Sequence, residues 1–138
     1  MQTNNSELYS ASSELLAKEA VKILIEKKGL NISLYDVRES SSITDFYINV
    51  TGSSTTHQAA LGDNLSFLLG ERGRDPLRVE GKRGNSWILV DYGDVIINIF
   101  DRQSREFYNL DRHFSENNKV DISELVREVD LKFDVNSN

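Results

Sequence analysis

Apolar positions near the start of the chain recur first with a helical and then with a strand period. Leu16, Ala20, Ile23 and Leu24 stand at i, i+4, i+7 and i+8, the spacing that lines one buried face of a helix. Ser12 or Ser13 can cap its start, Glu14 favours its first turn, and Gly29 offers a stop. From Ile32 to Val37 the period shortens, with apolar Ile32 and Leu34 around polar Ser33, which predicts a strand. Arg38 to Ser42 is a polar loop. Phe46, Ile48 and Val50 then form one face of a second strand, with Tyr47, Asn49 and Thr51 opposite.

Gly52 and Ser53 turn the chain into a second helical pattern, carried by Leu61, Leu65, Leu68 and Leu69. Thr55 and Gln58 have the spacing of a reciprocal capping box. Gly73 is the expected exit, and Pro76 bars continuation. Leu77 to Glu80 reads as a short strand and Gly81 to Asn85 as a flexible loop. Trp87 to Val90 and Val95 to Phe100 read as a hairpin across Asp91-Tyr92-Gly93-Asp94. Phe107, Leu110 and Phe114 fit a short helix, and Ile122, Leu125, Val126 and Val129 allow one more.

The order α-β-β-α-β-β-β-α, with that further helix open, predicts an α/β fold: one domain whose mixed five-stranded sheet is flanked by helices. The polar stretch 1–12 is expected to be a disordered end, residues 13–118 the domain, and 119–138 a tail with at most a short helix, dispensable for the fold.

Composition narrows the function classes. The chain has 138 residues, enough for one domain with a sizeable core and no need of disulfides or a structural metal. It has no cysteine, which removes thiolate chemistry and cysteine-based zinc sites. A net charge of −6 argues against general DNA or RNA binding and favours a basic partner, although solubility alone accounts for it too. No run approaches the ~18 apolar residues of a membrane span. Met1 to Ser13 has no Lys or Arg and contains Glu7, unlike secretory or transit signals, so a cytoplasmic location is expected.

Candidate chemistry is sparse. His57 and His113 have no metal-ligand spacing around them. No phosphate-binding glycine loop or nucleophile elbow occurs; Gly52-Ser53-Ser54-Thr55, between strand and helix, reads as a cap before it reads as an anion site. Neither a catalytic residue, a cofactor nor a metal is expected. Asp91 and Asp94 bracket a turn that Asp and Gly suit by themselves, or else they display negative charge beside exposed aromatics. Trp87 and Tyr92 are residue types that anchor interfaces, and equally ones that fill cores.

Several segments, taken in order, resemble the ribosome silencing factor family, also called Iojap. They are Ser41-Ser42-Ile43-Thr44-Asp45-Phe46-Tyr47, Val50-Thr51-Gly52-Ser53-Ser54 and Asp63-Asn64. Val79-Glu80-Gly81, Trp87, Asp91-Tyr92-Gly93-Asp94-Val95 and Glu106-Phe107-Tyr108-Asn109-Leu110-Asp111 complete the series. The resemblance runs over about residues 14–114. It implies a non-enzymatic protein with a nucleotidyltransferase-like fold. Such a protein binds the fourteenth protein of the large ribosomal subunit, blocks joining of the small subunit and lowers translation when nutrients are scarce. It places the contact surface on Trp87, Asp91, Tyr92 and Asp94, with Glu80 nearby, and leaves open a homodimer of the free protein.

The sequence departs from the family's pattern in places. Its last strand reads Ile97-Asn98-Ile99-Phe100 where the family often has V-H-V-F, Phe114 stands where Trp is frequent, and Gly62 where Ala is usual. The competing reading is a nucleotidyltransferase-like enzyme using a nucleoside triphosphate and Mg²⁺, with Gly52-Ser53 as its signature. The paired acidic residues that such chemistry needs do not follow at the required spacing.

Overall fold

The computed structural model describes residues 7–81 and 86–136, and the alternation of apolar side chains decides how its layers stack. Helices α1 (Ser13–Glu26) and α2 (Thr55–Glu71) cover one face of a six-stranded sheet. The strands are β1 (Leu30–Asp36), β2 (Phe46–Thr51), β3 (Arg78–Glu80), β4 (Trp87–Asp91), β5 (Val95–Phe100) and β6 (Lys119–Val120), in the order β3-β4-β5-β2-β1-β6. β2 and β5 run parallel and every other pair is antiparallel, so the sheet is mixed as expected. Phe46, Ile48, Val50, Ile88, Val90, Val95, Ile97 and Ile99 point to the helices and are buried with Leu16, Leu24, Leu61, Leu65 and Leu69. Burial of each such side chain stabilises the fold by roughly 1.5–3 kcal/mol.

The helix boundaries follow local chemistry. Ser12 caps α1, its hydroxyl accepting from the Leu15 N–H at 3.1 Å. At the start of α2 the cap is Ser54, which accepts from the His57 N–H at 3.0 Å; the expected Thr55–Gln58 capping box does not form. Gln58 is instead buried, and its amide donates to the Ile99 carbonyl at 3.2 Å. Gly73, at φ 100°, gives α2 its left-handed exit, while Arg74 N–H returns to the Leu69 carbonyl.

Both chain ends depart from expectation. Residues 1–6 lie outside the described residues, as do residues 82–85 of the predicted flexible loop. Glu7–Ser10 form a turn in which Leu8 is fully buried and its N–H donates to the Arg72 carbonyl at 2.7 Å. At the other end Lys119 and Val120 pair with Tyr35 and Leu34, adding the sixth strand that the sequence reading lacked. Helix α4 (Ser123–Asn136) follows and packs on α1, burying Leu125 and Val129. Among the described residues the buried stripe of α4 is thin, and a thin stripe reads as a weak helix.

The short helix predicted around Phe107 is also rebuilt. α3 (Arg102–Tyr108) ends at Asn109, in the left-handed region at φ 44°, and a 3-10 turn, Leu110–His113, follows. Phe107 is 79% exposed.

Candidate functional site: the open face of the sheet

Register places Arg78 and Glu80 of β3, Trp87, Leu89 and Asp91 of β4, Asn98 and Phe100 of β5, Tyr47, Asn49 and Thr51 of β2, and Ser33 and Tyr35 of β1 on the face away from α1 and α2. α3 and the 3-10 turn cover only part of it, through Arg105, Tyr108 and Asp111. Two zones result: an aromatic zone around Trp87, and a polar zone that begins at Asn98 and ends on Asp111.

In the aromatic zone, the Trp87 ring lies 4.9 Å from Tyr108 and 5.2 Å from Phe100, centroid to centroid. Phe107 meets Tyr108 edge-on at 5.1 Å. Trp87 and Leu89 remain half-buried, and Glu80, Gly81, Ser86, Trp87, Leu89 and Tyr108 line a shallow groove. Among the described residues, this is apolar surface left uncovered beside the β3 edge of the sheet.

The carboxylates beside it are paired. Arg78 bridges Glu80 at 2.8 Å and Asp91 at 3.2 Å, and Arg74 holds Asp94 at 2.9 Å. Asp91 also accepts the Gly93 N–H at 2.7 Å, so it builds the turn that the sequence suggested, where Gly93 sits at φ 90°. Tyr92 is not an exposed anchor. Strand alternation turns it to the helix side, where it is 3% exposed, and burial raises its phenol above the ordinary tyrosine value. The structure therefore gathers Glu80, Trp87 and Asp91 on one face, leaves Asp94 at the hairpin end bound to Arg74, and sends Tyr92 into the core.

In the polar zone, Asn49 and Asn98 are buried side by side in the parallel ladder. Trp87 Nε1 donates to Asn98 Oδ1 at 3.0 Å, Asn98 Nδ2 to Asn49 Oδ1 at 3.1 Å, and Asn49 Nδ2 to Asp111 Oδ1 at 3.1 Å. Tyr35 donates its hydroxyl to the same Asp111 oxygen at 2.7 Å. Arg105 grips Asp111 at 2.7 Å and 3.2 Å and also reaches Thr51 and Ser33. Partial burial would raise the Asp111 carboxyl, but the bonds from Arg105, Asn49 and Tyr35 outweigh it and hold the group below the usual range. Burial, with Asp111 beside it, pushes the Tyr35 phenol up to about 12.

The sequence marks Asn98 only as a departure from the family's pattern and does not connect it with Asn49 or Asp111, although a signal is there. Asn49 and Asn98 each sit mid-strand among apolar neighbours, and a polar side chain in that setting must find a partner. What the sequence withheld was the parallel register that makes them neighbours.

At the β2–α2 junction, the Ser53 N–H donates to His57 Nδ1 at 2.9 Å and Ser54 is occupied in capping. Among the described residues no three His, Asp or Glu side chains gather as a metal-ligand set, and no helix is long and apolar enough to cross a membrane.

Comparison with known proteins adds to this geometry. Residues 10–137 match the family described as ribosomal silencing factor during starvation. A ribosomal silencing factor of Haemophilus influenzae is 41% identical over 85 residues, 62% of this chain and 83% of that one. The mouse mitochondrial assembly of ribosomal large subunit protein 1 is 27% identical over 95 residues, 67% of this chain and 42% of that one. A crystal structure of a Chromobacterium violaceum protein superposes with a TM-score of 0.72 at 28% identity, over 75% of this chain and 86% of that one.

Proposed function

The chain belongs to the ribosomal silencing factor family, and we propose that it binds the large ribosomal subunit through the open sheet face and blocks joining of the small subunit. The observation that carries this reading is the apolar surface of Trp87, Leu89, Phe107 and Tyr108 left open among the described residues, with Glu80 and Asp91 on the same face and Asp94 at the hairpin end. Aromatic side chains at the centre of a contact, with charged groups at its rim, are what a specific protein interface uses. The name of the mouse relative speaks of the large ribosomal subunit, and the family's description speaks of starvation. The partner in this reading is the fourteenth large-subunit protein, on the surface where the small subunit docks. The protein acts in the cytoplasm, as a translational repressor under nutrient limitation.

The mechanism is steric. An interface of roughly 1,200–2,000 Å² holds a domain of this size firmly enough to occupy the small subunit's place. The net charge of −6 suits a basic partner surface. The carboxylates act as ion-paired groups, so they contribute orientation at the rim more than net charge. No bond is made or broken in this account, and the chain works as a regulator rather than a catalyst.

Co-sedimentation with purified subunits tests the reading. The protein is expected in the large-subunit fraction and depleted from joined ribosomes. Trp87→Ala, with its folded state verified by circular dichroism, is expected to weaken binding by about 2 kcal/mol, chiefly through faster dissociation. Equal recovery from all ribosomal fractions, or unchanged binding of the folded variant, overturns it.

A further inference from the structure

We infer that Asn98 and Asn49 are positioning residues for Trp87, and that Asp111 sets the direction of the hydrogen-bond chain that fixes the indole. The inference rests on the reading of Trp87 as a contact residue and adds what holds it in place. The direction follows from donor and acceptor chemistry. An ionised carboxylate only accepts and an indole N–H only donates. Asp111 therefore draws the Asn49 Nδ2 toward itself at 3.1 Å, which leaves the Asn49 oxygen facing Asn98. Asn98 must answer with its own Nδ2, at 3.1 Å, and so presents its oxygen to Trp87 at 3.0 Å. Each amide has one orientation that satisfies both neighbours, and the reverse orientation meets an acceptor with an acceptor.

The chain is braced at its far end. Arg105 and Tyr35 hold the Asp111 carboxylate, and Arg105 also ties Thr51 and Ser33 across neighbouring strands. Both asparagines are buried, so water does not compete for these bonds. At the near end the Trp87 ring is flanked by Phe100 and Tyr108. Those contacts restrict the ring, and the hydrogen bond selects the edge it turns to Asn98. Groups remote from the aromatic groove thus decide how the indole is offered to a partner.

Trp87 is the only tryptophan in the chain, so its emission reports on this position alone. Asn98→Leu cuts the chain at the indole. Asn49→Leu cuts it one link away, at a residue whose amide reaches Trp87 only through Asn98. Gln58→Leu removes a buried amide from the helix side of the sheet and serves as a control for general destabilisation. Tryptophan emission, acrylamide quenching and anisotropy are measured on the free, folded variants, and large-subunit binding on the same samples.

Both asparagine variants are expected to shift the emission, lower the anisotropy and weaken binding about fivefold, the ratio that one neutral hydrogen bond carries. The Gln58 variant is expected to keep the parent emission and affinity. Parent-like emission and anisotropy in Asn49→Leu and Asn98→Leu overturns the positioning role. Altered emission with unchanged binding upholds the positioning and overturns the contact reading of Trp87. If one asparagine variant fails to fold, the other decides the matter by the same two readouts.

Discussion

Asp111 shows at the scale of a single residue how partner chemistry overrides environment. Its partial burial favours the neutral acid, yet Arg105, Asn49 and Tyr35 all donate to it and keep it ionised to lower pH than a free carboxyl. A carboxyl with a depressed folded-state value adds stability above its unfolded value and loses that contribution as pH falls through the folded one. Asp111→Asn is therefore expected to cost about 2 kcal/mol at neutral pH, in the range of a hydrogen bond to a charged group. The gap to the parent should narrow as pH drops below the ordinary carboxylate range. Urea unfolding of both proteins at neutral and at acid pH checks this; a pH-independent gap means that Asp111 contributes through packing alone. The same scale explains Tyr92. Sequence placed it at a hairpin tip, where an exposed aromatic is plausible, but its parity with Ile88 and Val90 turns it inward.

At the scale of elements, the strongly periodic segments were legible and the thinly covered ones were not. The helix carried by Leu16, Ala20, Ile23 and Leu24, the strand of Phe46, Ile48 and Val50, and the hairpin around Asp91–Asp94 all stand where the pattern put them, because each presents a full apolar face to one core. β6 is two residues long, and among the described residues α4 buries Leu125 and Val129, too little for a periodic signal to rise above its surroundings. The expectation that this tail is dispensable does not fit such packing. A chain ending at Asn118 is expected to lose about 3 kcal/mol, the contribution of two buried aliphatic side chains at the lower end of their range. Unchanged unfolding midpoints would restore the dispensable tail. Gly62 offers the opposite case: a Cβ there would meet Ile99 at 3.6 Å and Ile88 at 3.7 Å, ordinary contact distances. Gly62→Ala is expected to raise stability by about 1 kcal/mol, the helix-propensity difference, read as a higher thermal midpoint. A lower midpoint would mean that this α2–sheet contact has no room. Of the proposed site, Trp87 and its neighbouring carboxylates came from pattern and resemblance, whereas the Asn49–Asn98 pairing depends on a parallel register that no local pattern encodes.

For the whole molecule, the division of the sheet into two faces connects fold with function. One face is spent on the core with α1, α2 and, through α1, α4; the other, among the described residues, is only partly roofed and keeps an aromatic zone open beside ion-paired carboxylates. In the proposed reading, a regulator that acts by occupying a surface needs such a face. If it competes with the small subunit as proposed, its potency depends on concentration and affinity relative to that subunit. Light scattering of purified large and small subunits, mixed with increasing amounts of this protein, tests that claim most directly. The account predicts a dose-dependent loss of joined ribosomes when the protein is added to large subunits first, relieved by excess small subunits and absent with Trp87→Ala. Joining at the same extent and rate at saturating protein would contradict it.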